Sequence, residues 1–137
     1  MSNIIGTGFN AASNNGEIQS LGEDLRALTD IGVDTVELGV TTLDLIAGGR
    51  IIKDRAERLV TLTKQFDFRY TVHGLVSSNF MDPATCRYQI DAAKALVEIC
   101  DRIDARILVQ HGGCLRAGQI FDRAAADLRE REALLEL

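Results

Sequence analysis

The sequence lacks the features that mark several common functional classes. It has no basic excess, because 15 lysines and arginines face 20 aspartates and glutamates and the formal net charge is −5. Nucleic-acid surfaces usually carry such an excess, so an anionic ligand would have to be bound by local donors. No stretch approaches the roughly 20 apolar residues that cross a bilayer. We therefore expect neither a nucleic-acid partner nor a membrane.

Cysteine is scarce, and no targeting signal stands out. Cys86, Cys100 and Cys114 are spaced 14 residues apart, and none belongs to a CxxC motif of the kind found in metal and redox sites. We expect reduced thiols, with Cys114 the one nearest to any ligand because it lies just past a histidine. The amino terminus lacks the basic segment and long apolar core of a secretion signal, which predicts a cytoplasmic protein.

Short β-prone segments alternate with amphipathic helices along the chain. The predicted strands are residues 4–9, 34–38, 68–72 and 106–110, and the predicted helices are 20–31, about 50–65, about 82–103 and a last stretch from about 119. This alternation implies a parallel sheet with right-handed crossovers, in either a barrel or an open sheet. No Pro- or Ser-rich linker interrupts it, so residues 1–137 are predicted to form one domain. The first βα loop has neither GxGxxG nor GxxxxGK[ST], which disfavours dinucleotide-binding and P-loop proteins.

Local signals set the expected ends of these elements. Ser20 and Glu23 form a capping-box pattern at the start of the first helix, and Gly32 is a suitable stop. Asp82 followed by Pro83 predicts the start of the third helix, as a cap residue with proline in the first turn. The last predicted strand is almost continuously apolar, as expected of a strand that is buried on both faces.

The two histidines of the chain occupy equivalent places. His73 ends the stretch "RYTVH" and His111 follows "RILVQ", and each is followed by glycine, which allows a sharp turn and leaves space for a ligand. Ligands of parallel α/β folds bind at the carboxyl ends of the strands. If these strands face a barrel interior, both imidazoles converge over its mouth and could share a metal or one small ligand. The alternative is a pair of hydrogen-bonded loop residues at the sheet rim.

Carboxylates add weaker candidates to this pair. Glu37 ends the second predicted strand and is expected to serve as a third ligand, a hydroxyl acceptor or a general base, or else as an ion pair at the rim. Two imidazoles do not complete a zinc site, which needs three or four ligands. Asp44 and Asp82 are less favoured, and Asp82 is better explained as a helix cap. Gln110 is expected to face the helix layer, away from the site.

Four stretches in order carry a family resemblance: "IGVDTVELG", "YTVHG", "YQIDAAKALVEICDRIDA" and "RILVQHGG". Together they resemble the xylose isomerase-like TIM-barrel superfamily, which includes sugar phosphate isomerases/epimerases and type 2 apurinic endonucleases. The resemblance implies an α/β fold of parallel (βα) repeats, about four units of a TIM barrel. The stretch "DRIDA" departs from the Leu-Gly-Ala turn that many members have before the fourth strand.

The resemblance implies one of two chemistries for the same residues. In the isomerase/epimerase branch, residues resembling His73, His111 and Glu37 line a pocket for a small sugar or sugar phosphate. That branch uses a divalent metal (Mn, Zn, Mg or Co) for proton transfer next to a carbonyl. In the endonuclease branch, histidines resembling His73 and His111 are zinc ligands, although the charge of −5 argues against a DNA-facing surface.

The length of the chain shapes the remaining expectations. The family's strands five to eight, which carry most metal ligands and the acid/base carboxylates, have no counterpart here, so we expect this chain to be inactive alone. Half a barrel exposes apolar residues such as Ile107 and Val109 on its inner face. We therefore expect a homo-oligomer or a missing C-terminal half. A non-catalytic half-barrel that serves as an assembly module is the third hypothesis.

Overall fold

A computed structural model describes residues 7–9, 16–115 and 122–137. In chain order its elements are β1 (Thr7–Phe9), α1 (Ile18–Asp30), β2 (Thr35–Gly39), a 3-10 turn (Val40–Leu43), β3 (Ile46–Ala47), β4 (Arg50–Ile51), α2 (Lys53–Thr63), β5 (Arg69–His73), α3 (Cys86–Arg102), β6 (Leu108–Val109) and α4 (Arg123–Glu136). Residues 4–6 of the predicted first strand and 119–121 of the predicted last helix lie outside the described residues. None of the described helices combines the length and the apolar character needed to cross a membrane.

Four strands form one parallel sheet in the order β1-β2-β5-β6. The register places Gly8 beside Glu37, Gly39 beside His73, and His73 beside Val109. Each of these strands is joined to the next by a helix, so spatial order follows chain order, as in successive βα repeats. The predicted parallel α/β architecture of about four βα units is confirmed. The described strands form an open sheet and not a closed barrel.

The hydrophobic core lies between the helices and one face of this sheet. Val36, Leu38 and Val72 are fully buried on that face, whereas the intervening Glu37 and His73 are only partly buried. The helices cover it with buried apolar residues: Leu21, Leu25, Leu59, Leu96 and Ile99. Burial of each of these leucine side chains contributes roughly 1.5–3 kcal/mol to the free energy of folding. Because successive side chains of a strand point to opposite faces, Glu37 and His73 lie on the face away from the helices.

The predicted start of α1 is wrong, whereas its predicted end is confirmed. The capping-box prediction is wrong, because α1 begins at Ile18 with Glu17 as its cap, and no side chain bonds to the first turn. Ser20 already donates its main-chain N–H to the Glu17 carbonyl at 3.1 Å. The stop at Gly32 is confirmed: it has φ of +79°, and its N–H donates to the Thr29 carbonyl. Glycine adopts this left-handed conformation without steric cost.

A small hairpin replaces the predicted start of the second helix. Residues Arg50–Ile51 pair antiparallel with Ile46–Ala47, so α2 begins only at Lys53 and ends at Thr63. Gly48 and Gly49 connect the two strands with φ of +58° and +73°. Positive φ at both positions is the requirement of a two-residue type I′ turn. The Gly-Gly pair therefore marks a hairpin and not an unstructured loop.

The third helix also begins later than predicted, at Cys86. The Asp82 carboxylate accepts bonds from the N–H of Ala84 at 3.0 Å and the hydroxyl of Thr85 at 3.2 Å. Asp82 therefore closes a separate turn before the helix, and Thr85 is the residue at the cap position. The predictions that Asp82 caps the third helix and that the helix begins there are therefore both wrong.

Strand β6 is shorter and more open than its apolar sequence suggests. Only Leu108 and Val109 pair with β5, both are half-buried, and Ile107 is 56% exposed. The prediction of burial on both faces is wrong, because no described strand covers the inner side of the sheet at this edge. The expected exposure on the inner face is confirmed for Ile107, whereas Val109 is only partly exposed.

Candidate functional site

Three polar side chains meet toward the carboxyl ends of β2, β5 and β6. His73 is the last residue of β5, and its Nδ1 lies 2.8 Å from Oε1 of Glu37 in β2. Its Nε2 lies 2.8 Å from Nε2 of His111, two residues beyond β6. The ring centroids are 4.9 Å apart. The structure thus brings all three predicted residues together as a hydrogen-bonded chain, the Glu37–His73–His111 relay.

Donor and acceptor roles in the relay follow from its acidic end. An ionised carboxylate only accepts hydrogen bonds, so His73 donates from Nδ1 to Glu37. Nε2 of neutral His73 is then an acceptor, and His111 donates from its own Nε2. One proton therefore lies between the two Nε2 atoms. Nδ1 of His111 makes no hydrogen bond with another described residue.

The relay is accessible to small molecules. The side chains of His73 and Glu37 are 32% and 31% exposed, and His111 is also half-buried. They lie on the sheet face opposite the helix-packed core. A ligand at the carboxyl ends of the strands can therefore reach both rings without displacing a core residue.

Two of the three glycines beside the histidines are required by close packing. A Cβ on Gly74 would lie 2.9 Å from the Val109 carbonyl oxygen, and one on Gly113 would lie 2.5 Å from Cγ of Met81. Gly112 has open space instead. None of the three belongs to the glycines with positive φ, so none of them is needed for a left-handed backbone conformation. Gly74 and Gly113 instead let neighbouring segments approach closely.

The loop after β5 holds the segment around His111 at two points. Before the histidine, Nε2 of Gln110 donates to the Ser78 hydroxyl at 2.7 Å. After it, the Asn79 side chain donates to the Cys114 carbonyl at 2.9 Å and accepts from the Cys114 N–H at 3.1 Å. We call this pair of contacts the Ser78–Asn79 bracket. Sequence reasoning missed Ser78 and Asn79, whose only signal is the polar "SSN" after the strand, and it left Gln110 out of the site.

The described side chains do not fit a metal site on their own. Two ligands of a tetrahedral zinc at about 2.1 Å lie about 3.4 Å apart, whereas the two Nε2 atoms are 2.8 Å apart and share a hydrogen bond. Both nitrogens of His73 are occupied by Glu37 and His111. Among the residues described, no group of three or more His, Cys, Asp or Glu side chains is placed to hold a metal ion.

The weaker candidates lie outside the relay. Asp44 ends the 3-10 turn in a left-handed conformation, and Asp82 belongs to the turn before α3. Cys114 is exposed, and its Sγ lies 3.7 Å from the Asn79 amide nitrogen. Burial raises the pKa of Cys100 to about 11 and also raises that of Cys86. All three thiols are free, and none contacts a relay side chain by a hydrogen bond within the described part of the chain.

A cavity of about 720 Å³ opens at the other, amino-terminal end of the strands. Aromatic residues Phe66, Phe68 and Tyr70 contribute to its wall, together with Arg69 and Arg106. Arg69 is already paired with the exposed Asp34 at 2.7 Å. In βα barrels the amino-terminal end of the strands serves stability, whereas the chemistry lies at the carboxyl end.

Comparison with known proteins agrees with this architecture. The search among curated proteins found no match, so the agreement comes from a family model. A family model described as xylose isomerase-like TIM barrel matches residues 25–136, which include the whole relay. The matched region, the parallel order of four βα units and the position of the relay at the strand ends lead to one conclusion. The chain belongs to the xylose isomerase-like TIM barrel family.

Proposed function

We propose that this chain forms part of the pocket of a sugar or sugar phosphate isomerase/epimerase, in which the Glu37–His73–His111 relay binds substrate oxygens and moves a proton. The observation that carries the proposal is the pair of 2.8 Å contacts that joins a carboxylate to two imidazoles in series. Such isomerases need groups that orient hydroxyl and carbonyl oxygens and exchange protons near neutral pH. Imidazole does both.

The relay can take up a proton from the substrate and carry the positive charge from His111 to His73. Nδ1 of His111 accepts the proton of a substrate hydroxyl, and the proton on Nε2 of His111 passes to Nε2 of His73. The resulting His73 imidazolium keeps its Nδ1–H bond to the Glu37 carboxylate, which stabilises the positive charge. Reversal of the same two transfers returns the proton to the substrate. The partly exposed setting leaves room for a ligand beside His111.

Ligand binding tests the proposal independently of turnover. Imidazole signals of the ¹⁵N-labelled chain would be followed by NMR while D-xylose, D-fructose or fructose 6-phosphate is added, with and without Mn²⁺, Zn²⁺, Mg²⁺ or Co²⁺. We expect at least one sugar to shift the signals of both histidines in a saturable manner. The variant His111→Gln should weaken this binding, whereas the distant surface variant Thr61→Ala should not.

Three outcomes would contradict the proposal. The first is a folded chain whose histidine signals respond to none of the sugars at tens of millimolar concentration. The second is a sugar that binds the His111→Gln variant as tightly as the unmodified chain. The third is cleavage of an oligonucleotide with an abasic site, which would support an endonuclease instead. The net charge of −5 makes that last result unexpected.

A further inference from the structure

We infer that Asn79 is a positioning residue for the relay, because it holds the segment that carries His111 against the loop that follows His73. Its importance for catalysis rests on the function proposed above, but its effect on the geometry of the two rings does not. Three features support this role: the place where the sheet ends, the hydrogen bonds of the Asn79 amide, and the close approach of Gly113 to that amide.

The main-chain ladder between β5 and β6 ends before His111. Its last bond runs from the Gly74 N–H to the Val109 carbonyl at 2.8 Å. Within the described part of the chain, residues 110–115 make no main-chain to main-chain hydrogen bond, and they belong to no strand. His111 is therefore outside the sheet, and side chains must determine how its ring faces His73.

The Ser78–Asn79 bracket supplies this constraint on both sides of the histidine. Gln110 donates to Ser78, which is only 7% exposed, and also to the His111 carbonyl at 3.1 Å. Asn79 pairs with both main-chain groups of Cys114, in the manner of a short stretch of sheet. Two anchors four residues apart leave little freedom to the segment between them.

The orientation of the Asn79 amide is determined by its partners. Its Oδ1 accepts from the N–H groups of both Met81 and Cys114, at 3.2 and 3.1 Å, and a main-chain N–H can only donate. Its Nδ2 therefore faces the Cys114 carbonyl. The Met81 bond ties Asn79 to the turn of its own loop, so the amide joins two loops and not merely two residues.

Helix α4 supports the same arrangement from outside. Glu130 accepts a hydrogen bond from the Gly113 N–H, and Arg129 donates to the Met81 carbonyl at 2.6 Å. A Cβ on Gly113 would lie 2.8 Å from Oδ1 of Asn79, so the loop packs directly on the amide. The segment after His111 is thus held between Asn79 and α4.

The test measures the contact between the two rings without any substrate. NMR of the ¹⁵N-labelled full chain detects the coupling across the hydrogen bond between Nε2 of His73 and Nε2 of His111. We expect Asn79→Ala to abolish this coupling. The control Thr61→Ala, which removes an exposed side-chain to main-chain bond on α2, should leave it intact. If a sugar is turned over, Asn79→Ala should lower kcat by roughly 10- to 100-fold, more than it raises KM.

A milder variant covers the case in which Asn79→Ala does not fold. Asn79→Asp keeps the acceptor for Met81 and Cys114 but loses the donor to the Cys114 carbonyl, so the coupling should weaken. Coupling that is undiminished in a folded Asn79 variant, or absent from the unmodified chain, would overturn the inference. The unmodified chain could instead show the coupling, lose it in the Asn79 variants, and bind no sugar. That result would refute the proposed function and leave the positioning role of Asn79 standing.

Discussion

The two ends of the parallel sheet differ: one holds a cavity, and the other holds a hydrogen-bonded series of ionisable side chains. The amino-terminal end holds the 720 Å³ cavity, with an aromatic wall and an arginine that is already paired with Asp34. At the carboxyl end, the ionisable side chains of Glu37, His73 and His111 are bonded in series. The cavity and the bonded series of ionisable side chains therefore lie at opposite ends of the sheet.

This contrast has a structural origin. Strand starts follow loops such as 64–68, where Phe66 stacks on Phe68 and Phe68 meets Tyr70 edge-on, so the amino-terminal end is shaped by packing. At the carboxyl end the ladder stops, and side chains take over the hydrogen bonding between neighbouring loops. Reactive groups can be placed there without disturbing the core, which is why this end of a βα barrel carries function.

The strongest disruption of the carboxyl end should come from Gly113→Ala. The added Cβ would approach Met81 and Asn79 to 2.5 and 2.8 Å, so we expect a loss of about 1–3 kcal/mol in the free energy of unfolding. Gly112→Ala is the matched control, because its Cβ meets nothing within 4 Å. Urea denaturation measures both. Equal stability of the two variants would show that the segment after His111 is not closely packed.

Ionisation of a tyrosine at the amino-terminal end should destabilise the fold at high pH. Burial raises the pKa of Tyr70 to about 12, above its ordinary value of 10. The neutral phenol is favoured in the folded state, so its stabilisation is complete below pH 10 and is lost as the pH rises toward 12. Tyr70→Phe should flatten this alkaline loss in denaturation curves. It should also cost about 1 kcal/mol at neutral pH, because the bond to the Thr63 carbonyl disappears. An unchanged alkaline profile would refute this origin.

Removing one carboxylate at each end of the sheet should affect sugar binding at the carboxyl end only, with little effect on stability at either end. Glu37→Gln leaves His73 with a neutral partner, and we expect sugar binding to weaken about fivefold, in line with a charge-assisted bond replaced by a neutral one. Asp34→Asn breaks the exposed pair with Arg69 and should leave binding unchanged. Both variants should lose less than about 1 kcal/mol of stability. Calorimetric titration with the sugar measures both affinities. An equal loss of affinity in the two variants would contradict the assignment of binding to the carboxyl end.

Thiol labelling should show that Cys114, in the loop at the carboxyl end, is the most accessible of the three cysteines. Cys114 is exposed, whereas Cys100 is buried with a pKa raised to about 11. Iodoacetamide at pH 8 should therefore modify Cys114 first and Cys100 only after unfolding, as read by mass spectrometry of peptides. Cys86, half-buried with a raised pKa, should fall between them. Early modification of Cys100 would show that α3 opens readily.

Local pattern was sufficient where one periodicity ran through a whole element. The alternation along β2 and β5 placed Glu37 and His73 on one face, and the position of His111 after an apolar run placed it at the same end. Local pattern gave wrong predictions where the same residues are compatible with two local structures. The capping-box pattern at Ser20 is compatible with a helix that starts at Ile18, and a hairpin with two-residue strands has too few residues to show a period.

Residue order was enough to predict the succession of βα units, the polar and apolar faces of the strands, and the placement of both histidines at strand ends, because these depend on neighbours along the chain. Tertiary structure alone decided that the two Nε2 atoms meet at 2.8 Å, and that Asn79 and Gln110 support them. These contacts join residues more than 30 positions apart. Their geometry depends on how two loops pack after the ladder has ended, and no local pattern encodes that.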